Sequence, residues 1–359
     1  MRSTRARSTC AGVTGSAMKA RPAGWSVVAG VFLALLCYAA YDSLWERGRA
    51  DSSRPAEDSA LQRPAAGTVR DWEIAREHFT WATSQPPATF PRFGDLLARL
   101  GERFAGTPYQ PHTLELDGPE RLVINLEALD CVTFVENVLV LARLAWSARA
   151  DAAHMADAPD VAAADKSGSR LPGPLDDPDR FRAAYRDELT RIRYRGGELE
   201  GYPSRLHYFS EWIADNEAAG LVDAISRELG GVADPSPIDF MSTHPDAYRQ
   251  LADPAVVAEI AEMEARLAEV DRYHIPASAI DAAAAGIRDG DIIAATSTVP
   301  GLDIAHTGIA LWRNGTLRLM HAPLAGSHVQ ISEESLAERI ARIGGQDGIM
   351  VARPLPPGT

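Results

Sequence analysis

Between Asn125 and Trp146 the chain reads N-L-E-A-L-D-C-V-T-F-V-E-N-V-L-V-L-A-R-L-A-W, a long apolar segment with no Gly or Pro after its first residues. Its opening Cys-Val-Thr-Phe-Val is rich in the β-branched and aromatic types that strands favour. The uninterrupted length decides for a helix, because strands rarely exceed about ten residues. At helical spacing Val135, Val138, Leu139, Ala142, Ala145 and Trp146 share one face, while Thr133, Glu136, Asn137 and Arg143 lie elsewhere. Asp130 suits the N-cap, since its carboxylate can accept from unpaired N–H groups of the first turn. Cys131 then falls where those groups and the helix dipole favour a thiolate.

Upstream, the pattern predicts helices near Asp71–Thr83 and Phe90–Phe104, with Pro91 at a helix start, and a turn at Gly106-Thr107-Pro108-Tyr109. Leu122–Leu126 is a short apolar run leading into Asp130. Ser147–Pro178 is an Ala/Asp tract with little apolar periodicity, expected to be a surface insertion or mobile loop. A helix is expected over Phe181–Ile192, followed by the loop-rich block Arg193–Trp212, dense in Tyr, Arg and His. In Ala255–Asp271 the residues Val256, Ile260, Met263, Leu267 and Val270 fall on one helical face.

The last third alternates as strands do. Strands are expected at Asp291–Ala295, His306–Trp312, Thr316–Ala322 and Ile349–Arg353, with a helix at Glu333–Ile343. Asn314-Gly315 is a strong type I′ hairpin signal. A two-residue loop there pairs Arg313 with Thr316, so Gly308 faces His321. His306, Gly308, Ala310 and His321 then share one face, and Thr307, Ile309 and Leu311 the other. A one-residue slip would separate the two histidines. Gly308 and Ala310 leave the histidine face bare, so the Cys131 helix is expected to dock there.

Charge and cysteine content add compartment and chemistry. The 359 residues carry a net charge of −13. Residues 1–21 hold Arg2, Arg5, Arg7, Lys19, Arg21 and no acid, which leaves −18 on the remainder. A body that acidic argues against a nucleic-acid partner. Pro22–Tyr41 is uncharged and almost wholly apolar from Gly24 onward. Its length fits a transmembrane signal anchor with a cytoplasmic N-terminus, and a cleaved signal peptide is the rival reading. Residues 42–69 read as a flexible linker, and 70–359 as one exported domain in the periplasm with its insertion at 147–178. Of three cysteines only Cys131 belongs to that domain. A lone exported thiol is either buried and inert or used, and composition leaves the two readings even.

With Cys131 docked on the histidine face, the parts of a thiol hydrolase are present. Cys131 would attack a carbonyl, His306 would take and return its proton, and His321 would orient His306. A zinc site is disfavoured, because His306, His321, His328 and Cys131 show no C-x-x-C or H-x-x-x-H spacing. No metal and no cofactor are expected.

Gly106-Thr107-Pro108-Tyr109, Asp130-Cys131, Gly290-Asp291, His306-Thr307-Gly308 and His321-Ala322, in this order, resemble the NlpC/P60 papain-like cysteine hydrolases. The stretches D-C-V-T-F-V-E, R-Y-R-G-G-E-L-E-G-Y-P-S-R-L-H-Y-F-S-E-W, F-M-S-T-H-P and G-L-D-I-A-H-T-G look like the DUF1460 branch. The resemblance spans roughly Asp71 to Arg353. It implies an α+β papain-like fold, with a central helix bearing Cys at its N-terminus packed on an antiparallel sheet. It also implies N-acetylmuramoyl-L-alanine amidase activity on peptidoglycan or small muropeptides, with Cys131 as nucleophile, His306 as base and His321 as third member. Tyr109 matches a tyrosine near the oxyanion position, and Arg205, His207 and Tyr208 are candidates for holding substrate carboxylates or sugar. The alternatives are a stem-peptide endopeptidase of the same chemistry and a non-catalytic, membrane-anchored wall-binding protein.

Overall fold

The computed structural model describes residues 66–157, 175–324 and 328–358. The basic segment, the apolar span 22–41 and most of the linker lie outside the described residues.

Helix α1 (Val69–Ser84) starts at a capping box. Thr68 accepts from the Asp71 N–H, and the Asp71 carboxylate accepts from the Thr68 N–H at 2.7 Å. Asp71 also accepts from the Leu126 N–H at 2.8 Å, which ties α1 to the run ahead of Cys131. Helix α2 (Phe93–Arg103) begins two residues after Pro91. Helix α3 (Cys131–Asp157) is the predicted central helix, and it is longer than expected. It runs through Ser147–Asp157, where an insertion was expected, because that tract is rich in Ala, the strongest helix former. Arg149 holds the extension by donating to the Ala82 and Gln85 carbonyls at the end of α1. Residues 158–174 lie outside the described residues. Helix α4 (Pro178–Arg193) resumes with Asp177 as N-cap and Pro178 in the first turn.

Next come α5 (Phe209–Ala218), β1 (Val222–Ala224), β2 (Val232–Ala233), α6 (Phe240–Thr243), α7 (Pro254–Leu267), β3 (Tyr273–Pro276) and α8 (Ile280–Ala283). Helix α7 ends at Leu267, so Val270 lies beyond it and is exposed instead of joining Ile260, Met263 and Leu267 in the core. The last third holds β4 (Ile292–Ser297), β5 (Ile304–Arg313), β6 (Thr316–His321), β7 (Gln330–Ile331), α9 (Leu336–Arg342) and β8 (Gln346–Pro354).

These strands form one antiparallel sheet in the order β2-β3-β8-β4-β5-β6-β7, with β1 also pairing with β8. The β5–β6 turn has positive φ at both Asn314 and Gly315, as type I′ requires. Arg313 pairs with Thr316 and Ile309 with Met320. That register sets Gly308 against His321, where a Cβ on Gly308 would lie 2.6 Å from the Met320 carbonyl and 3.0 Å from His321 Cβ.

The two sheet faces carry different covers. Ile292, Ala294, Ile309, Met320 and Ala322 share a core with Val135, Val138, Leu139 and Ala142 of α3, and with α1, α2 and α4 above it. Ile293, Ala295, Ala310 and Leu319 share the opposite core with Leu336 and Ile340 of α9. The Cys131 helix therefore docks on the Thr307/Ile309 face and not on the Gly308/Ala310 face expected from the sequence. The physical reason lies in side-chain size. Ile309, Met320 and Ile292 offer apolar bulk for a long apolar helix, each buried side chain of this kind contributing roughly 1.5–3 kcal/mol. Gly308 makes room for something else, the Leu319 and His321 side chains across the strand pair. The α+β class and a cysteine-headed helix on an antiparallel sheet are observed.

Candidate active site

Asp130 caps α3 as expected. Its Oδ1 accepts from the Thr133 N–H at 2.7 Å, while Thr133 Oγ1 accepts from the Asp130 N–H at 2.9 Å. Thr113 donates to the second carboxylate oxygen at 3.2 Å. Cys131 opens the helix and is half-buried. Its carbonyl accepts from Thr307 Oγ1 at 2.9 Å, which bolts the helix end to β5 one residue from His306. The thiol faces the N–H and hydroxyl of Thr307.

His306 pairs with Ala295 in register, just inside a bulge where Thr296 opposes Ile304 and Ala305 is left over. Across the hairpin, His306 Nε2 lies 2.8 Å from His321 Nδ1, with the rings perpendicular and their centroids 4.9 Å apart. The strand register thus brings both histidines together. The structure does not bring the thiol into a hydrogen bond with either ring: Cys131 and His306 are joined through Thr307, whose side chain alternates to the helix side.

Electrostatics define the resting state. Burial pushes the Cys131 thiol up to about 11, and the Asp130 carboxylate adds to the rise against the donors of Thr307. The sequence suggested a thiolate; desolvation outweighs the pull of the helix N-terminus. Burial pushes His306 down to about 3, and the Arg339 guanidinium adds to this. His321 is lowered by burial, by His306 and by Arg339. The site at neutral pH holds a thiol and two neutral imidazoles.

Tyr109 is half-buried beside this group, and its phenol is raised by burial, then by Cys131 and Asp130. The Gly106–Tyr109 turn is held on both sides. Gly106 donates to the Val329 carbonyl at 2.9 Å, and Leu129 donates to the Pro108 carbonyl at 2.9 Å.

The aromatic block after Arg193 builds scaffold. Arg205 is buried, ion-pairs with Glu115, lies 3.6 Å from Glu120 and donates to the Leu114 carbonyl. Tyr208 donates to Glu264 at 2.7 Å and accepts from the Met241 N–H at 2.8 Å. His207 bonds the Tyr202 carbonyl at 2.8 Å and packs on the Tyr202 ring. Each of the three thus makes at least one hydrogen bond within the protein. Sequence reasoning did not single out Thr307 or Arg339. Alternation sets Thr307 opposite His306, on the face that the sequence reading left away from the Cys131 helix; Arg339 arrives by tertiary packing of α9. Among the described residues, no three His, Cys, Asp or Glu side chains converge as metal ligands.

The geometry defines an α+β scaffold with a thiol and a histidine pair at one end of its antiparallel sheet. A family model described as N-acetylmuramoyl-L-alanine amidase-like, AmiA-like, matches residues 99–346. The chain belongs to this amidase-like family. A crystal structure of an N-acetylmuramoyl-L-alanine amidase from Bacteroides uniformis is similar at 32% identity and TM-score 0.59, covering 73% of this chain and 98% of that one. One described as a putative xylanase from Bacteroides fragilis is similar at 32% identity and TM-score 0.56, covering 70% and 98%. A DUF1460 protein from Legionella pneumophila shares the fold at 19% identity and TM-score 0.51, covering 80% and 95%. A comparison with curated proteins gives no match.

Proposed function

We propose that this protein is a cysteine-dependent N-acetylmuramoyl-L-alanine amidase of the NlpC/P60 papain-like type, acting on peptidoglycan or muropeptides. The observation that carries the reading is the 2.8 Å bond between His306 Nε2 and His321 Nδ1. With Nε2 occupied, Nδ1 of His306 is the nitrogen left to serve as base. The reading requires the Cys131 thiol to reach that nitrogen past the end of the sheet, because the helix docks on the Thr307 side of β5 and the imidazoles lie on the other. The thiol proton passes to His306 Nδ1 as sulfur bonds the lactyl carbonyl carbon, with the Cys131 N–H and Tyr109 hydroxyl receiving the oxyanion. The C–N bond to L-alanine then breaks, His306 gives the proton to the leaving amine, and water activated by His306 hydrolyses the muramoyl thioester. A thiol and two imidazoles suit acyl transfer, whereas a glycosidase works through paired carboxylates.

The apolar span 22–41 fits a reading in which the domain is held at the inner membrane and works in the periplasm. Mass spectrometry of products from a muramoyl-dipeptide tests the bond: free L-Ala-D-Glu and N-acetylmuramic acid are expected from the native protein and neither from Cys131→Ala. Cleavage between the amino acids, or full activity in Cys131→Ala, overturns the assignment. Recovery of the intact chain in the soluble fraction would overturn the anchor.

A further inference from the structure

The loop from Gln110 to Glu120 joins the Tyr109 turn to the run ahead of Cys131, and its path is fixed from two sides. On one side the Gln110 N–H donates to the Leu129 carbonyl at 3.2 Å, one residue before Asp130. On the other, the excursion that follows α4 reaches it with three side chains, Arg205, Arg249 and Gln250. Arg205 donates to the Leu114 carbonyl at 3.0 Å, ion-pairs with Glu115 and lies 3.6 Å from Glu120, so one guanidinium spans both ends of the turn. Gln250 donates to the Leu116 carbonyl at 3.3 Å, and Arg249 ion-pairs with Asp117.

Inside this clamp the backbone is strained. His112 has a φ of 57°, in the left-handed region, where a side chain is held only if its surroundings over-determine it. Among the described residues Asn314 of the type I′ turn is the one other non-glycine with positive φ. Pro111 and His112 are exposed, and the next residue turns inward: Thr113 is 6% exposed. Its hydroxyl donates to Asp130 Oδ2 at 3.2 Å. Oδ1 already receives the Thr133 N–H and hydroxyl at 2.7 and 2.8 Å. Thr113 is the one donor on Oδ2 among the described residues.

That oxygen bears on the reaction. The Asp130 carboxylate opposes negative charge on the Cys131 thiol, which Tyr109 of the turn and Thr307 of β5 also face. Attack builds charge first on sulfur and then on the carbonyl oxygen at the Cys131 N–H, both beside this carboxylate. A donor on Oδ2 draws off part of the carboxylate charge and keeps the group turned to the helix cap. We infer that Thr113 is a positioning residue for the nucleophile, its hydroxyl holding the Asp130 carboxylate on the cap of α3. Arg205 serves the same end at one remove, by holding the loop that delivers Thr113. The kinetic part of the inference rests on the amidase reading; the thiol part does not.

The test uses the full chain. Thr113→Val keeps the shape and removes the hydroxyl. It is expected to slow iodoacetamide alkylation of Cys131 at pH 9 by about five- to tenfold, the scale of one hydrogen bond to a charged group. On a muramoyl-dipeptide kcat should fall by a similar factor, with KM within about twofold. Thr113→Ser should recover most of both. In an Asp130→Asn background Thr113→Val should lose its effect, because the charge it tempers is gone. Arg205→Lys is a point charge that cannot span Leu114, Glu115 and Glu120 together, so it should lower kcat in the native background and no further in Thr113→Val. Native rates in Thr113→Val, a Thr113→Ser as slow as Thr113→Val, or a loss that survives Asp130→Asn overturns the role of Thr113. An equal loss from Arg205→Lys in both backgrounds overturns that of Arg205. Where Thr113→Val does not fold, Thr113→Ala against Thr113→Ser decides in the same way. If the native protein cuts no muramoyl bond, the amidase reading fails by itself, and the alkylation rates decide Thr113.

Discussion

His306 and His321 meet edge to face across the β5–β6 hairpin, Nε2 to Nδ1, at 2.8 Å. For His306 to use Nδ1 as a base, its proton must reside on Nε2 and be donated to His321. That fixes the His321 tautomer too, with its proton on Nε2, a buried atom without a partner among the described residues. On the proposed mechanism, His321 would position the base through a single acceptor nitrogen.

Replacing that acceptor has a graded outcome. His321→Ala frees the His306 ring and is expected to lower kcat by about 10² or more with little change in KM, the scale of lost general-base catalysis. His321→Asn places an amide oxygen near the Nδ1 position and should recover part of the loss. Steady-state kinetics of the two variants check this; equal kcat in both would mean that the acceptor is not what matters.

The resting thiol gives a second outcome. Because burial raises Cys131 to about 11 and lowers His306 to about 3, no thiolate–imidazolium pair forms in the free protein near neutrality. The rate of alkylation by iodoacetamide should keep climbing with pH past 9, beyond the usual thiol value of about 8.5. A plateau between pH 5 and 7 would show a preformed ion pair. The acid limb of activity should not reflect protonation of His306 above about pH 4, since its folded value lies below that.

Acid stability gives a third. His78 on α1 is 7% exposed, packs 4.4 Å from the Phe104 ring, and neither ring nitrogen has a hydrogen-bond partner among the described residues. Burial, with the Arg103 charge behind it, lowers it to about 4. Between the unfolded value of 6.5 and that folded value, the unfolded chain binds the extra proton, so stability falls as pH falls through this window. At pH 4.5 the deficit from His78 alone is roughly 2–3 kcal/mol, at 1.36 kcal/mol per unit. His78→Leu should reduce the drop in urea-unfolding free energy between pH 7 and pH 4.5 by about that much. An unchanged slope would place the acid sensitivity in His306 and His321.

What the sequence made legible followed short-range rules. Asn314-Gly315 determined a turn, the turn determined the register, and the register brought the two histidines together. Asp130 could be read as a cap because capping depends on three residues of chain. The docking face could not be read this way. Gly308 and Ala310 looked like space for a helix, whereas the space is filled from within the sheet by Leu319 and His321. The protonation state of Cys131 was missed because a helix N-terminus is local and desolvation is tertiary. The partners of Arg205 and Tyr208 were equally out of reach of short-range rules, since Glu115, Glu120 and Glu264 lie 90, 85 and 56 residues away in sequence. The helical extension Ser147–Asp157 was a different miss, an Ala-rich stretch judged by its lack of apolar period and not by propensity.

Beneath the site, Glu136 and Arg193 form an ion pair with both residues 1% exposed. Arg193 Nη2 and Nε reach Glu136 Oε2 at 2.7 and 2.8 Å, and its Nη1 donates to the Val123 carbonyl at 2.6 Å. The pair locks α3 to the end of α4 and to the run that precedes Cys131. Burial raises the Glu136 carboxyl while Arg193 pulls it back. Removing one partner strands the other charge in an apolar core, so Glu136→Gln should cost about 3–5 kcal/mol in urea unfolding at pH 7. Exchanging both, Glu136→Leu with Arg193→Met, removes both desolvation penalties and leaves only the Val123 carbonyl short of a donor. The double variant should therefore be more stable than Glu136→Gln, by about 1–3 kcal/mol. Its muramoyl-amidase kcat tests what the pair is for. If kcat falls while stability is regained, the ion pair positions the Cys131 end of α3; if kcat is native, its role is confined to holding the helices together.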